Sequence, residues 1–311
     1  MADRRPPGRR LRAVRVIGLA LVVALVGVAC GAGGSSPDDG TLHVVATTTI
    51  FADMVRQVGG ARVSVESLVP KGGEVHTFDP RPSSIRRVAE ARLIFLNGLG
   101  LDDWLANLVE DAGTNAPVVR LAEDLPGATL IAGEGGGGTV NPHLWMNITY
   151  GALYADRIAQ ALATADPAGA TAYAAGLAAY RVRLAALDAW AAAEVDAVPE
   201  ASRTVVAFHD AFPYFAAAYG LTIDGTIVNA PGQDPSAGSV ADLVAVIRAK
   251  HVRAIFAEAQ FSEDLVRTIA NETGATVVSS LYTDSVGDAP KDTYEGMMRW
   301  NVEQVVAALK G

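Results

Sequence analysis

The chain has 311 residues, half of them hydrophobic, with 34 acidic against 25 basic side chains, a formal net charge of −9 and one cysteine. That length accommodates two domains and a large buried core, and a lone cysteine excludes an internal disulfide. The acidic balance argues against nucleic acid as a partner and suits a cationic ligand.

The first thirty residues do not read as fold. Arg4, Arg5, Arg9, Arg10, Arg12 and Arg15 precede an apolar run, 16–28, that is too short for a spanning helix, which needs about 20 residues. The pattern is that of an export signal over 1–29. Six arginines against Asp3 give this segment a formal +5, so its removal takes the chain from −9 to −14. Ala29 and Cys30 follow, then a polar tether, GAGGSSPDDG, up to residue 41. Val26-Gly27-Val28-Ala29-Cys30 resembles a bacterial lipobox, with glycine three before the cysteine as a departure from the commonest form. The resemblance implies lipidation at Cys30, and multiple acyl chains anchor far better than one.

Beyond the tether, short apolar runs alternate with helical periodicity. Strands are expected over 42–47, 63–69, 93–96 and 118–121, and helices over 48–58, 82–91 and 102–111. Gly59 and Gly60 close the first helix, and Asn97 and Gly98 close the third strand. A loop over 126–139 contains the glycine run 135–138. The sequence VNPHLWMN then leads into a helix over 148–163.

The segment 166–197 is nearly half alanine, the best helix former. Asp166 and Pro167 read as an N-cap and a first-turn proline. Leu177, Tyr180, Leu184, Leu187 and Trp190 recur at helical spacing, and Pro199 marks a stop. About thirty residues at 1.5 Å rise make a rod of roughly 45 Å.

After it the strand–helix alternation starts again. Strands are expected over 203–208, 221–228, 253–258 and 276–281. Helices are expected over 210–219, 239–249 (capped by Ser239), 262–272 and 292–309. The fold class is therefore α/β: two Rossmann-like βα lobes with parallel sheets, 42–165 and 199–311, joined by a single long helix, 166–198. In such open sheets ligands bind at the carboxyl ends of the strands.

Three of the five histidines fall in such places. His76 lies in a Pro/Gly loop after the second strand, His143 follows Pro142, and His209 ends a strand. Asp284 follows the last strand. Any one of these histidines alone reads as a hydrogen-bonded loop side chain rather than as a ligand. Together, three imidazoles and a carboxylate make a ligand set for a first-row transition metal. Glu258, at the end of another buried strand, competes as a ligand or as a partner of one, because a buried acid needs a partner. Asp79 and Asp288 are weaker candidates. His43 reads as structural, and His251 as a cation at a helix C-terminus. The glycine run neither follows a strand nor opens a helix, so it is not a phosphate cradle.

The segments VVATTTIFADMVRQVGG, VHTFDPRPSSI, NPHLWMN, FHDAFPYFAAAYGL, IFAEAQFSEDLVRTIANETGA, LYTDSVG and DTYEGMMRWNVEQVVAAL span most of the chain from Leu42 to Leu309. In these the chain resembles the metal-specific solute-binding lipoproteins of bacterial ABC importers (cluster A-I, solute-binding protein family 9). The resemblance implies two lobes bridged by one rigid helix, with a metal between them held by His76, His143, His209 and Asp284. It implies delivery of that metal to a membrane permease driven by an ATPase, and a lipid-anchored protein on the extracytoplasmic face of the cell membrane.

The chain departs from the family at Asn141-Pro142-His143, where Asp-Pro-His is usual. It also lacks the histidine-rich acidic loop that some zinc members carry near 126–139. By ligand softness the set favours Zn²⁺, with Mn²⁺ next; the resemblance implies zinc, manganese or both. A monomer is expected, and affinity is expected to fall below about pH 6 as imidazoles protonate. Two other readings stay open: a surface adhesin with a structural metal, and a metallohydrolase. No HExxH-type motif supports the second, and the chain is not expected to be an enzyme. A continuous linking helix implies a small tilt or local loop movement on binding, not a wide clamshell.

Overall fold

The computed structural model describes residues 1–2, 40–133, 139–228, 235–258 and 263–310. The signal region with Cys30, the glycine run 135–138 and most of the loop from 229 lie outside them. Thr41–Gly311 form one compact unit, separate from Met1–Gly40.

The first sheet is built from β1 (Leu42–Ala46), β2 (Val63–Ser67), β3 (Leu93–Leu96) and β4 (Val118–Arg120), all parallel, in the order β2-β1-β3-β4. The interior strand β1 buries four of its five residues and β3 all four, whereas the edge strand β4 is mostly exposed. That is the near-continuous apolar pattern of strands covered on both faces. The helices between them are α1 (Thr49–Gly59), α2 (Pro82–Glu90) and α3 (Trp104–Ala112). Thr48 caps α1 by accepting from the Phe51 N–H. Helix α4 (Ile148–Ala165) is capped in the same way by Asn147.

The second sheet repeats the arrangement. Strands β5 (Thr204–His209), β6 (Thr222–Val228), β7 (Ala254–Glu258) and β8 (Thr276–Leu281) are parallel in the order β6-β5-β7-β8. Helices α6 (Pro213–Tyr219), α7 (Ala237–Lys250), α8 (Glu263–Thr273) and α9 (Tyr294–Lys310) complete this half. In both sheets the order reverses between the first and third strands of the set, which directs binding groups to the loops at the carboxyl edge.

Between the sheets runs α5 (Ala170–Asp196), preceded by a 3-10 turn, Pro167–Gly169. The rod is thus shorter than its sequence suggests, 27 residues or roughly 40 Å. Asp166 caps the 3-10 turn through the Gly169 N–H, and Pro167 supplies its first position. Tyr173, Tyr180, Leu184, Leu187, Ala191 and Val195 form its buried stripe, with Leu177 and Trp190 only partly covered. One continuous apolar core joins this stripe to Phe51, Trp145, Tyr154, Phe256, Tyr294 and Met298, so both sheets pack around the rod. Polar ties fix it along its length. Asp166 accepts from Arg62 at 2.8 and 3.1 Å and from Tyr173 Oη at 2.7 Å. Arg183 reaches Gln57 of α1 at 2.6 Å and Glu295 of α9 at 3.1 Å. Tyr219 Oη donates to Asp188 at 2.8 Å.

Two local differences from the sequence reading have simple causes. Helix α6 starts at Pro213 rather than at 210, because proline lacks the N–H that a first-turn position does not need. His209 is therefore the last strand residue, in register with Val228. Helix α7 is capped by Ser236, not Ser239; the Ser239 N–H donates to Ser236 Oγ at 3.0 Å.

Where α5 crosses the end of α1, Gly176 lets the backbones touch: a β-carbon there would lie 2.2 Å from the Val58 carbonyl oxygen. Helix propensity alone favours alanine over glycine by about 1 kcal/mol. Gly176→Ala should instead destabilise by roughly 1–3 kcal/mol, because backbone must move. A denaturant midpoint at or above that of the parent would show that the contact relaxes freely.

Candidate metal centre

Four loop or strand-end side chains converge between the sheets. His76 lies in the loop after β2. Its backbone N–H is fixed by Glu74 Oε1 at 2.8 Å, and the preceding Val75 carbonyl accepts from Trp104 Nε1 at 2.9 Å. His143 sits between Pro142 and a 3-10 turn, Leu144–Met146, after the β4 loop. His209 ends β5. Asp284 follows β8 in a loop that Asn301 of α9 holds through both the N–H and the carbonyl of Tyr282.

The approaches are close. His143 Nε2 lies 3.3 Å from His76 Nε2 and 3.4 Å from His209 Nε2. Asp284 oxygens lie 3.5 Å from His143 Nε2 and 3.8 Å from the Nε2 atoms of His76 and His209. One candidate ligand atom from each residue lies within 4.8 Å of all the others. A tetrahedron of bonds near 2.0–2.1 Å has edges of about 3.3 Å, so this spacing suits a single small ion at the centre. The Asp284 side chain is fully buried, and neither of its oxygens has a hydrogen-bond partner. A buried carboxylate without donors is costly unless a cation meets it. The donor set therefore fits a divalent transition metal. His76 alone keeps appreciable exposure, 14 % of its side chain.

The partners behind the ligating atoms settle their protonation. Glu258 is buried and places Oε1 2.7 Å from His209 Nδ1, leaving Nε2 to face the centre. Glu258 thus stands behind His209, outside the four-atom group. Burial opposes a charge on His209, but the carboxylates of Glu258, Asp284 and Glu74 outweigh it and push its pKa up to about 9. Burial lifts Asp284 to about 7, with His209 pulling it down. Burial first, then the charge on His209, lowers His76 to about 3. The same two causes, with His76 added, hold His143 well below the ordinary imidazole range. Near pH 6, His76 and His143 are therefore neutral, and the protons that compete with a metal sit on His209 and Asp284.

The remaining candidates fall elsewhere. Asp79 is exposed, and Asp288 pairs with Lys71 at 2.8 Å on the surface. His43 lies exposed on β1, and His251 is the exposed left-handed C-cap of α7. Cys30 lies outside the described residues. Two contributors carried little sequence signal. Glu74, two residues before His76, places a carboxylate near His209 and Asp284, and only its Glu-x-His spacing hinted at it. Trp145 Nε1 donates to the Thr283 carbonyl at 2.8 Å, tying the His143 turn to the Asp284 loop. A second tie runs through Ser285 Oγ, which accepts from the Gly72 N–H at 2.8 Å.

Comparison with known proteins follows the same lines. Residues 44–308 match the family model described as ZnuA, zinc-uptake complex component A, periplasmic. The chain is 31% identical over 293 residues to the manganese-binding lipoprotein MntA of Halalkalibacterium halodurans, covering 93% of this chain and 96% of that one. It is 31% identical over 301 residues to the metal ABC transporter substrate-binding lipoprotein FimA of Streptococcus parasanguinis, covering 94% and 97%. Among solved structures, the periplasmic zinc binding protein TroA from Treponema pallidum superposes with a TM-score of 0.80 at 25% identity, covering 88% of this chain and all of that one.

The His209 pKa fixes the sign of a pH effect. A folded pKa near 9 against 6.5 unfolded contributes stability that is complete below 6.5 and lost as pH rises through 9. Asp284, raised from 3.8 to about 7, has the same sign and is spent by neutrality. Below 6.5, His76 acts oppositely. The metal-free protein should therefore lose roughly 2 kcal/mol between pH 7 and 9, read as a falling thermal midpoint, with the metal-loaded form nearly flat. An unchanged metal-free midpoint would remove the raised His209 pKa. Glu258→Gln should flatten that slope and weaken metal binding roughly 10–100-fold, as measured by chelator competition; full affinity in this variant would deny Glu258 any part in the centre.

Proposed function

Because the chain belongs to the zinc-uptake complex component A family of solute-binding transport proteins, we propose that it captures a divalent transition-metal ion outside the cytoplasm and delivers it to the permease of an ABC importer. The reading rests above all on one observation: three imidazole nitrogens and a donor-less buried carboxylate oxygen lie within 4.8 Å of one another. His76 and His143 from the first lobe (42–165) and His209 and Asp284 from the second (199–311) ligate the ion. The linking helix, 166–198, limits how far the lobes part. Glu258 orients His209 and offsets the incoming charge.

The ion is the cargo. Three nitrogens and one oxygen at tetrahedral spacing favour Zn²⁺, with Mn²⁺ next. The names of the relatives support both metals, zinc for TroA and manganese for MntA. Binding at neutral pH displaces the His209 proton, so uptake releases acid. The lipid on Cys30 holds the protein at the outer face of the cell membrane, in keeping with the lipoprotein names of its relatives; no helix among the described residues is long and apolar enough to cross a membrane. The protein works as a monomer that presents both lobes to the permease and its ATPase.

Four protein ligands fill a tetrahedron, whereas a catalytic zinc keeps one position for water. The chain is accordingly read as a carrier and not as a hydrolase, and no feature of the site favours adhesion. Protein purified without added metal should contain about one equivalent of zinc or manganese, and competitive titration should rank Zn²⁺ above Mn²⁺. Each single alanine variant at the four positions should lose more than the 10–100-fold typical of outer-shell partners. Stoichiometric metal in the quadruple alanine variant would disprove the site, and tighter Mn²⁺ binding would reverse the choice of cargo.

A further inference from the structure

Behind His143 stands a side chain with two jobs. Asn141 is 1% exposed. Its Oδ1 accepts from the His143 backbone N–H at 3.0 Å and lies 3.1 Å from His143 Nδ1. Its Nδ2 donates to the backbone carbonyl of Asp210 at 2.6 Å. Its own backbone is gripped as well: the N–H donates to Ile131 and the carbonyl accepts from Tyr214 Oη at 2.9 Å.

The two backbone partners dictate which way the amide points. A peptide N–H can only donate and a peptide carbonyl can only accept, so Oδ1 must face His143 and Nδ2 must face Asp210. The oxygen then meets the imidazole, and Nδ1 must be the protonated nitrogen. The Nε2 lone pair is left for the centre. Asp210 directly follows His209, so one amide joins the His143 turn of the first sheet's half to the His209 corner of the second. Only a carboxamide does both. A carboxylate accepts from His143 but faces the Asp210 carbonyl with a second acceptor, and an aliphatic side chain does neither. The two buried imidazoles are also backed differently: His209 by the Glu258 carboxylate, His143 by neutral oxygens, Oδ1 of Asn141 and the backbone carbonyl of Asp210 that the same amide holds.

From this geometry we infer that Asn141 is a positioning residue, which fixes the tautomer of His143 and makes retention of the ion by His143 depend on contact with the His209–Asp210 corner. The inference rests on the carrier reading above. The amide acts as a cross-lobe clip: when the corner moves away, the His143 side chain loses its fixed backing.

The test uses the full chain loaded with Zn²⁺, with three readouts: dissociation into excess chelator by stopped flow, ¹⁵N shifts of the His143 ring, and the thermal midpoint of the metal-free protein. In the parent, His143 should carry its proton on Nδ1. Asn141→Ala should speed Zn²⁺ loss roughly 10–100-fold. Asn141→Asp, nearly isosteric, should keep the Nδ1–H signature and give an intermediate rate, because it retains the acceptor and loses the donor. If Asn141→Ala fails to fold, Asn141→Asp alone decides: a rate within twofold of the parent overturns the cross-lobe clip. A proton on Nε2 in the parent, or Asn141→Ala within twofold, overturns the positioning role. Failure of the parent to bind one Zn²⁺ would instead overturn the carrier reading.

Discussion

A buried carboxylate with no donor is the constraint on which the rest of this structure turns. Asp284 is fully covered and unbonded, and Glu258 is buried just behind His209. Taking such charges out of water costs several kcal/mol each unless they are met by opposite charge. In the metal-free protein, among the described residues, the compensation is protonic: a proton on His209 and, near neutrality, one on Asp284 itself, and both raised pKa values record the same electrostatic demand. A divalent ion answers it better than a proton does. The protein therefore holds a charge deficit in its interior, and the deficit is shaped for one small cation.

Keeping the polar atoms of four side chains this close together, 3.3–3.8 Å apart in five of their pairs, requires a stiff frame. The repeated strand order supplies it, since both sheets aim their carboxyl edges at the common seam. The α5 rod supplies the rest. Its buried stripe belongs to one core shared by both halves, and Arg183 and Asp188 fasten it to helices of the two sheets. Nothing in this frame resembles a hinge of extended strands. Direct ties join the halves in loops, at Trp145 to Thr283, Asn141 to Asp210 and Ser285 to Gly72, and between helices, where the Tyr294 N–H of α9 donates to Asp53 of α1 at 2.8 Å.

Much of this was legible in the sequence because it depends on short-range pattern. Strand 276–281 and the turn at Asn97 follow from apolar runs and their punctuation, and the rod follows from alanine content and the Asp166-Pro167 start. His76, His143, His209 and Asp284 could be singled out as candidates because they fall at strand ends or in a proline turn, and the structure brings them within 4.8 Å of one another. What stayed hidden depends on distant partners. The buried Glu258 shows as an acid at a strand end, but its 2.7 Å contact to Nδ1 of His209 exists only once β5 and β7 lie side by side. The reversal of proton affinities among three identical imidazoles has no sequence signature, because it arises from unequal burial and from carboxylates drawn from the end of β7 and from two separate loops. Asn141 could be noticed as unusual, yet its role needs the Asp210 carbonyl from across the seam.

The uneven covering of the four groups has a consequence for traffic. His143, His209 and Asp284 are sealed, and only His76 touches solvent, on a loop held to the opposite half by the Ser285 hydroxyl and the Lys71–Asp288 pair. Among the described residues, His76 is the member of this group that solvent reaches. The buried charge and the exposed approach thus belong to different parts of the molecule: the first to the sealed trio, the second to the loop that carries His76.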